Sequence, residues 1–252
     1  MSLAIPKTSD TPKLSLIIPA YNEAGRIEST LRHALQYFDE QDYAAEIVVV
    51  DDGSTDATTG VIRAFHTAYT TPVKLHSLPE NRGKGAAVKV GMLDVARGDY
   101  RLFFDADAST PIEEVGKLWS LLESGADIVI GSRSLPESEI ELHQAKYRES
   151  MGRVFNHILR ILKLTPFIDT QCGFKVFSAA AAKDIFSRQT LDGFSFDVEV
   201  LHIAQKHGYQ IAEVPVRWRN NEASKVNPIT DSFRMFCDLL RIKYREWNHA
   251  YV

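Results

Sequence analysis

Short apolar runs alternate with segments of helical periodicity through the amino-terminal half of the chain. Each run is bounded by polar residues or proline, and each intervening segment repeats apolar residues at spacings of three and four. The alternation predicts an α/β fold with a Rossmann-like, mostly parallel sheet flanked by helices, because buried parallel strands need helical crossovers. The predicted strands are 14–18, which Pro19 ends, 47–50, 73–78, 100–104 and 127–130.

Polar clusters follow most of these predicted strands at the point where each strand ends. Sheets of this kind bind ligands at the carboxyl ends of their strands. One edge of one sheet would therefore collect all of the clusters into a single site. The clusters are Tyr21-Asn22-Glu23, Asp51-Asp52, Arg82-Gly83-Lys84-Gly85, Asp105-Ala106-Asp107 and Ser132-Arg133.

The Asp105-Ala106-Asp107 cluster places two carboxylates one residue apart, directly after the apolar run 102–104. Like charges this close raise each other's free energy unless a cation or a proton intervenes. Mg²⁺ and Mn²⁺ take carboxylate oxygens and usually keep places for substrate phosphates. The motif therefore indicates either a metal beside a phosphorylated ligand or an acidic turn that caps the helix predicted to start at Ser109-Thr110-Pro111.

Composition limits the classes of protein to consider. The 252 residues contain no linker or repeat, so we predict one principal domain. A net charge of −4 argues against nucleic acid as a partner, and two cysteines indicate a reducing compartment. The amino terminus lacks a secretory pattern, and no apolar stretch approaches the roughly 20 residues that span a bilayer. We expect a cytoplasmic protein that is soluble or lies on a membrane.

Several motifs together resemble a known family. Pro19-Ala20-Tyr21-Asn22-Glu23 is followed in order by Val50-Asp51-Asp52-Gly53-Ser54-Thr55-Asp56, Asn81-Arg82-Gly83-Lys84-Gly85 and Asp105-Ala106-Asp107. This series resembles the family 2 inverting glycosyltransferases, which have the GT-A fold. A later set of motifs is similar to the dolichyl-phosphate or polyprenyl-phosphate β-glucosyltransferase branch. That set is Gly131-Ser132-Arg133, Asp169-Thr170-Gln171-Cys172-Gly173-Phe174-Lys175, Phe196-Asp197-Val198-Glu199 and Ser224-Lys225.

The resemblance implies a division of the chain. It predicts an amino-terminal extension (1–13), a GT-A domain (14–228) and a carboxyl-terminal helical segment (229–252) packed on that domain.

The resemblance also implies a donor site for a nucleotide sugar, with UDP-glucose favoured over GDP and mannose. Asp107 is the expected ligand of Mg²⁺ or Mn²⁺, with Asp105 nearer the ribose or second to the metal. Mannosyl relatives often place a glutamine where this chain has Ser109, so a third side-chain ligand is left open. Lys84 would add positive charge near the diphosphate, beside glycine backbone that a ligand can approach closely. The other implied donor contacts are Pro19, Tyr21, Glu23, Asp51, Asp52 and Gly83.

A lipid phosphate is the implied acceptor. Its attacking oxygen is already anionic near neutral pH, with a second pKa around 6, so attack with inversion needs cations more than a base. The implied catalytic residues are Asp107, Asp197, Arg133 and Lys225, and Ser224-Lys225 is expected in a loop that closes over the phosphates. The candidates for holding the acceptor phosphate are Arg148, Arg153, Lys175, Arg217, Arg219 and Ser224. The alternative is a soluble family 2 glycosyltransferase that uses Asp197 as the base for a sugar or protein hydroxyl.

Two later segments have the pattern of basic amphipathic helices. Residues 144–164 repeat apolar positions at helical spacing among cationic ones, and residues 233–247 repeat the theme. We expect 144–164 to lie in a lipid interface at the cytoplasmic face, given the implied lipid acceptor. For 233–247 we expect packing on the core or in a homo-oligomer.

Three other classes match single motifs. A haloacid-dehalogenase phosphatase would use Asp105 as nucleophile, and a phosphorelay receiver would use the Asp51-Asp52 pair. A nucleotide-sugar sensor on the same fold would bind without turnover. The phosphatase leaves the Tyr21-Asn22-Glu23 and Asp51-Asp52 clusters unexplained, and the chain is too long for a single receiver, which favours glycosyl transfer.

Overall fold

Seven strands of the described residues form one sheet in the computed structural model of the protein, which describes residues 11–65, 69–144, 146–221 and 230–251, apart from the side chains of 146, 148 and 149. A two-stranded sheet lies beside it. In chain order the strands are β1 (Leu14–Ala20), β2 (Ala45–Asp51), β3 (Val73–Ser77), β4 (Tyr100–Phe104), β5 (Ile128–Ser132), β6 (Glu139–Leu142), β7 (Phe174–Ser178), β8 (Ile211–Pro215) and β9 (Arg217–Arg219).

The large sheet has the order β3-β2-β1-β4-β7-β5-β8, and β7 alone runs against its neighbours β4 and β5. The carboxyl ends of the other six strands therefore share one edge with the amino end of β7. We call this the carboxyl edge; it carries the residues that follow Ala20, Asp51, Phe104 and Ser132 and those that precede Phe174. The smaller sheet pairs β6 with β9 in parallel.

Helices cover both faces of the sheet because successive strand residues point to opposite sides. Ile17 and Val48 belong to the core on one face, while Leu16 and Val49 belong to the core on the other. The helices are α1 (Ile27–Asp39), α2 (Thr58–Arg63), α3 (Lys84–Val90), α4 (Gly116–Glu123), α5 (Lys146–Ile161), α6 (Ala179–Arg188), α7 (Phe196–Lys206) and α8 (Thr230–Trp247). A π-helical turn, Gly91–Val95, extends α3, and a 3₁₀ turn, Ile112–Val115, precedes α4.

The predicted α/β class and mostly parallel sheet are confirmed, with one correction at the end of β1. The strand continues through Pro19 to Ala20, which pairs with Asp51. Beyond Ile17, β1 has lost β4 as a partner and pairs with β2 alone. A residue without an N–H is tolerated in such a one-sided stretch.

Two late helices keep apolar side chains exposed. On α5, Leu159 is buried in the core, whereas Tyr147, Val154 and Ile161 are 53%, 61% and 65% exposed. On α8, Leu239 and Ile242 are buried, and an exposed apolar face runs along Phe233, Phe236, Leu240, Tyr244 and Trp247. Within the described ranges, no helix combines the length and the apolar character needed to cross a bilayer.

Candidate active site

The turn after β4 carries the two aspartates of the Asp105-Ala106-Asp107 motif at the carboxyl edge. The Asp105 N–H donates to the carbonyl of Gly173, and the Ala108 N–H donates to the carbonyl of Asp105, both at 3.1 Å. Thr30 Oγ1 in α1 donates to the Ala106 carbonyl at 2.7 Å. A Cβ on Gly173 would lie 1.9 Å from Asp105 Oδ2, so only glycine at position 173 accommodates this position of the Asp105 side chain. The turn thus holds both carboxylates in fixed places.

The two carboxylates have different surroundings. Asp105 Oδ1 pairs with Lys84 Nζ at 2.6 Å, whereas Asp107 Oδ1 accepts a hydrogen bond from the Ser109 N–H at 3.0 Å. Burial, and then the charge of Asp105, raise the pKa of Asp107. Burial opposes the charge on Lys84, yet Asp105 and Asp197 keep the Lys84 pKa above its usual value. Burial and Asp105 thus outweigh the charge of Arg26 at Asp107, which is where a further cation would relieve the group.

Several residues predicted to contact the nucleotide lie at the ends of β1 and β2 or on the loops that follow these strands. Pro19 is within β1, Tyr21 at the strand's end is 37% exposed, and Glu23 binds Arg26 with Oε1 2.7 Å from NH2. Asp51 Oδ1 accepts from the Ser54 N–H at 3.2 Å. Asn22, which the sequence marks only as part of a cluster, joins the two loops because its Oδ1 accepts from the Thr55 N–H at 2.8 Å.

The Asp52 carboxylate, which is predicted to contact the base or ribose, is held by backbone N–H groups of the protein. Its two carboxylate oxygens accept from the Arg82 and Gly83 N–H groups, each at 2.8 Å. Burial raises the pKa of Asp52 despite these hydrogen bonds. The carboxylate therefore fixes the start of the turn that carries Lys84, and its predicted contact with a base or ribose stays a prediction.

The glycines of that turn approach protein backbone. Gly83 has φ 113°, and a Cβ there would lie 2.4 Å from the Asp192 carbonyl oxygen. A Cβ on Gly85 would lie 2.6 Å from the Leu191 carbonyl oxygen. The predicted reason for these glycines was room for a ligand, whereas in the structure residues 191–192 take up that room. Sequence reasoning missed these residues because a backbone carbonyl has no sequence signature.

Lys175 and Asp197 form a buried ion pair. Lys175 Nζ lies 2.5 Å from Asp197 Oδ1 and 2.6 Å from the Cys172 carbonyl oxygen, and both side chains are buried. Burial raises the pKa of Asp197, while Lys175 and Lys84 act in the opposite direction. Lys175 faces Asp197 instead of solvent, so its predicted contact with an acceptor phosphate would require this pair to open.

Arg133 makes a bidentate pair with Asp169, through Nε at 2.7 Å and NH2 at 2.8 Å. The Arg133 guanidinium carbon also lies 5.4 Å from the ring centroid of Trp218. Burial alone would raise the pKa of Asp169, but the Arg133 guanidinium outweighs it and lowers that pKa to about 2. Arg133 is therefore already held by a carboxylate at the carboxyl edge.

The other predicted acceptor residues that the structure describes each have a partner of their own. Arg217 Nε donates to Glu114 Oε1 at 2.8 Å, and exposed Arg219 at the end of β9 donates its N–H to the Ser109 carbonyl at 2.8 Å. Exposed Arg153 on α5 donates to Ser150 Oγ at 2.9 Å. Arg148 is also on α5, but its side chain, like the whole of Ser224 and Lys225, lies outside the described residues. Among the described residues, no three His, Cys, Asp or Glu side chains are grouped as metal ligands.

Comparisons with known proteins show the family to which this chain belongs. Residues 15–186 match the model of the family described as glycosyl transferase family 2. The dolichyl-phosphate beta-glucosyltransferase of Dictyostelium discoideum is 35% identical over 94% of this chain and 75% of its own length. The enzymes of that name from Homo sapiens and Saccharomyces cerevisiae are 35% and 36% identical, over 94% and 91% of this chain and 76% and 74% of their own lengths.

Solved structures share the fold. Glucosyl-3-phosphoglycerate synthase from Mycobacterium tuberculosis, in complex with Mn²⁺, UDP and glucosyl-3-phosphoglycerate, has a TM-score of 0.69 at 20% identity over 92% of this chain and 80% of that one. Mannosyl-3-phosphoglycerate synthase from Rubrobacter xylanophilus has a TM-score of 0.69 at 22% identity, over 94% of this chain and 74% of that one. These likenesses show the GT-A fold.

Proposed function

The chain belongs to glycosyl transferase family 2, and from that premise we propose that it transfers glucose from UDP-glucose to the phosphate of a polyprenyl or dolichyl lipid, with inversion at the sugar. As a glycosyltransferase it is neither a phosphatase, nor a receiver, nor a non-catalytic sensor. The acceptor and the sugar follow the names of its relatives. The observation that carries the proposal is the Lys84–Asp105 pair beside Asp107 at the carboxyl edge.

The donor site fits a divalent cation. Two neighbouring carboxylates, one with a raised pKa, are a donor set that Mg²⁺ or Mn²⁺ takes together with substrate phosphates. Asp107 would hold the ion with Asp105 second, and the ion would offset the charge that develops on the leaving diphosphate. Lys84 would add positive charge to the same diphosphate. The Mycobacterium tuberculosis synthase, which shares the fold, is crystallised with Mn²⁺ and UDP, which supports a divalent metal as cofactor.

The acceptor side supports a phosphate acceptor over a hydroxyl. A phosphate oxygen is anionic near neutral pH and needs no base. Asp197, the candidate base for the alternative hydroxyl acceptor, is buried and bound to Lys175. Its raised pKa is the one observation that favours the alternative, because it moves the carboxyl toward the range of a base. Arg219, Ser224 and Lys225 remain proposed contacts of the acceptor phosphate.

We also propose that α5 brings the protein to the cytoplasmic face of a membrane. Its exposed apolar residues recur at seven-residue intervals on one side of the helix, with Arg153 and Arg160 on the same element. Such a helix can lie with its apolar face in the lipid interface while cations meet anionic headgroups. The homo-oligomer predicted for the exposed face of α8 stays a prediction.

The test is transfer in a defined mixture. The protein would be incubated with polyprenyl phosphate, Mg²⁺ or Mn²⁺, and one donor at a time: UDP-glucose, UDP-galactose or GDP-mannose. The lipid products would be identified by mass spectrometry. With UDP-glucose as donor, we expect polyprenyl phosphate to yield a hexosyl lipid phosphate. The corresponding polyprenol, which differs from this acceptor only in lacking the phosphate, should yield no hexosyl product. Equal transfer to the polyprenol, or transfer only from another donor, would overturn the proposal.

A further inference from the structure

Residues 189–192, called the brace below, connect α6 to the segment before α7 and bind the end of the Lys84 turn that Asp52 does not. The Asp192 carbonyl accepts from the N–H groups of Gly85 at 2.8 Å and Ala86 at 3.3 Å. Gln189 Nε2 donates to the Gly85 carbonyl at 3.0 Å, and Lys89 Nζ donates to the Gln189 carbonyl at 2.7 Å. The brace therefore both accepts hydrogen bonds from α3 and donates one to it.

The brace and the turn cannot shift independently. The missing side chain of Gly83 is replaced by the Asp192 carbonyl, and that of Gly85 by the Leu191 carbonyl and by Phe196 Cβ at 2.7 Å. A close-packed contact of backbone on backbone transmits a displacement of a few tenths of an ångström, because no flexible side chain can absorb it. The position of the brace thus sets the position of the Lys84 backbone, from which the side chain extends to place Nζ 2.6 Å from Asp105.

The carboxylate of Glu199 holds the brace. It accepts from the N–H groups of Thr190 at 2.9 Å and Leu191 at 2.8 Å, and from Thr190 Oγ1 at 2.6 Å. Glu199 is fully buried on α7. A buried carboxylate needs such donors, and each loss of one is costly because water cannot replace it.

Tyr251 supplies a fourth donor to Glu199 from far along the chain. Its hydroxyl lies 2.8 Å from Glu199 Oε1, and its side chain is buried. Burial, and then Glu199, raise the pKa of Tyr251, so its hydroxyl keeps the proton that it donates. The Tyr251 carbonyl lies 2.7 Å from His207 Nε2, and its ring meets the ring of His202 edge to face. The tyrosine is therefore fixed at both its backbone and its hydroxyl.

We propose that Glu199 and Tyr251 are positioning residues for the donor diphosphate, because they hold the brace that places the Lys84 turn against Asp105. Neither residue touches the proposed substrate; each acts through backbone. The inference rests on the proposed use of UDP-glucose, and no step of it requires the identity of the acceptor.

Tyr251→Phe tests the proposal because it removes one hydroxyl and keeps the ring. We expect the Kd for UDP with Mg²⁺, measured by calorimetry, and the KM for UDP-glucose to rise about threefold to tenfold. This is less than the full loss of a hydrogen bond to a charged group, because the effect reaches the diphosphate only through the brace. The kcat should change less than the KM. Glu199→Gln, which exchanges an accepting oxygen for an NH₂ group, should raise both constants further.

Two control variants separate positioning from general stability. Tyr244→Phe removes a hydroxyl from an exposed tyrosine of α8, and Leu239→Ala removes buried contacts of the same helix. Leu239→Ala should lower the melting temperature while leaving the Kd for UDP unchanged. The proposal would be overturned if Tyr251→Phe bound UDP with the wild-type Kd. It would also be overturned if Leu239→Ala raised the Kd for UDP as much as Tyr251→Phe does.

Amide hydrogen exchange at Gly85 and Ala86 makes the test independent of the substrate. Tyr251→Phe should speed exchange at both amides, whereas Tyr244→Phe should not. If the wild-type protein bound no UDP but Tyr251→Phe sped this exchange, the proposed function would fail while the mechanical link stood. Unchanged exchange would overturn the link itself.

Discussion

Asp105 pairs with Lys84, whereas Asp107 accepts a hydrogen bond from the Ser109 N–H, although the two aspartates follow the same strand. Burial and the charge of Asp105 raise the pKa of Asp107, so its carboxylate is one that a divalent cation would stabilise. We expect Asp107→Asn, which keeps the shape of the side chain, to lower kcat at least about a hundredfold, as when a charge-stabilising group is lost. Rates would be measured over a series of Mg²⁺ concentrations.

The matched control for this variant is Asp94→Asn, at an exposed aspartate of the π-helical turn. It should keep wild-type rates and an unchanged melting temperature. Full activity of Asp107→Asn, or of the wild type in excess chelator, would contradict a metal at this site.

Asp197 distinguishes the two classes of acceptor. Loss of a general base lowers rates by about 10²–10⁴-fold, whereas a phosphate acceptor needs no base. We therefore expect Asp197→Asn to lose less than about a hundredfold in kcat with polyprenyl phosphate. The wild-type rate should fall as pH drops through the second ionisation of the acceptor phosphate, near about 6.

Asp197→Asn also leaves Lys175 buried without its partner, which costs about 3–5 kcal/mol of stability. Lys175→Met breaks the same pair from the other side and is the control for that destabilisation, with both assayed well below their melting temperatures. A loss beyond about a thousandfold in Asp197→Asn alone, with transfer to a sugar hydroxyl, would establish the alternative function.

The Arg133–Asp169 pair makes stability depend on pH. The folded pKa of Asp169 is lowered to about 2, below the value of about 3.9 expected in the unfolded chain. The carboxylate therefore stabilises the fold fully above pH 4, and the contribution, of order 2–3 kcal/mol, is lost as pH falls from about 4 to 2. Urea unfolding at several pH values should show a shallower slope over that window in Asp169→Asn than in the wild type.

A surface pair is the control for Asp169. Asp238 accepts from Arg241 at 2.8 Å, and Arg241 is exposed. Asp238→Asn should leave the slope of unfolding free energy against pH close to that of the wild type. Equal slopes for Asp169→Asn and the wild type would show that Asp169 is not held as described.

At the scale of elements, α5 and α8 offer a comparison because both expose apolar side chains. If α5 is the lipid-facing helix, Val154→Glu and Ile161→Glu should each weaken binding to anionic vesicles about tenfold, since each removes the burial of one apolar side chain. Binding would be measured by co-sedimentation with vesicles that contain anionic phospholipid.

Leu240→Glu places the same charge on the exposed face of α8 and should leave vesicle binding unchanged. The reverse pattern would move the membrane contact to α8. Equal, weak binding of all variants and the wild type would remove the membrane proposal altogether.

At the scale of the whole molecule, the periodicity of the first half predicts the parallel strands and the edge where the polar clusters meet. Those features are local, since each depends on a few neighbouring residues. The insertion of β7 between β4 and β5 was not predictable in this way, because strand order depends on packing between distant segments. That insertion brings Gly173 beside Asp105.

The candidate site shows the same limit. The acidic turn after β4 stands out in the sequence because of its spacing, and so does the turn at Lys84. The pairing of Lys175 with Asp197 does not, because two charges at separate positions give no sign that they meet. The brace is less visible still, since its contacts with α3 are made by carbonyl groups that every residue has.

The brace also bears on how such enzymes can be recombined. The residues proposed to bind the donor all precede Ala108. A chimaera that joins this part of the chain to the second part of a related enzyme would therefore be expected to keep its donor specificity and to change its acceptor specificity. Yet the Asp192 carbonyl and Glu199 belong to the second part of the chain and support the Lys84 turn in the first. A graft that replaces residues 189–199 with a foreign sequence should therefore weaken UDP binding even with every donor contact retained, whereas a graft that spares them should not. The set of residues that must be transferred together to keep donor recognition is thus discontinuous in this chain. A crossover point chosen from the motifs alone would divide that set.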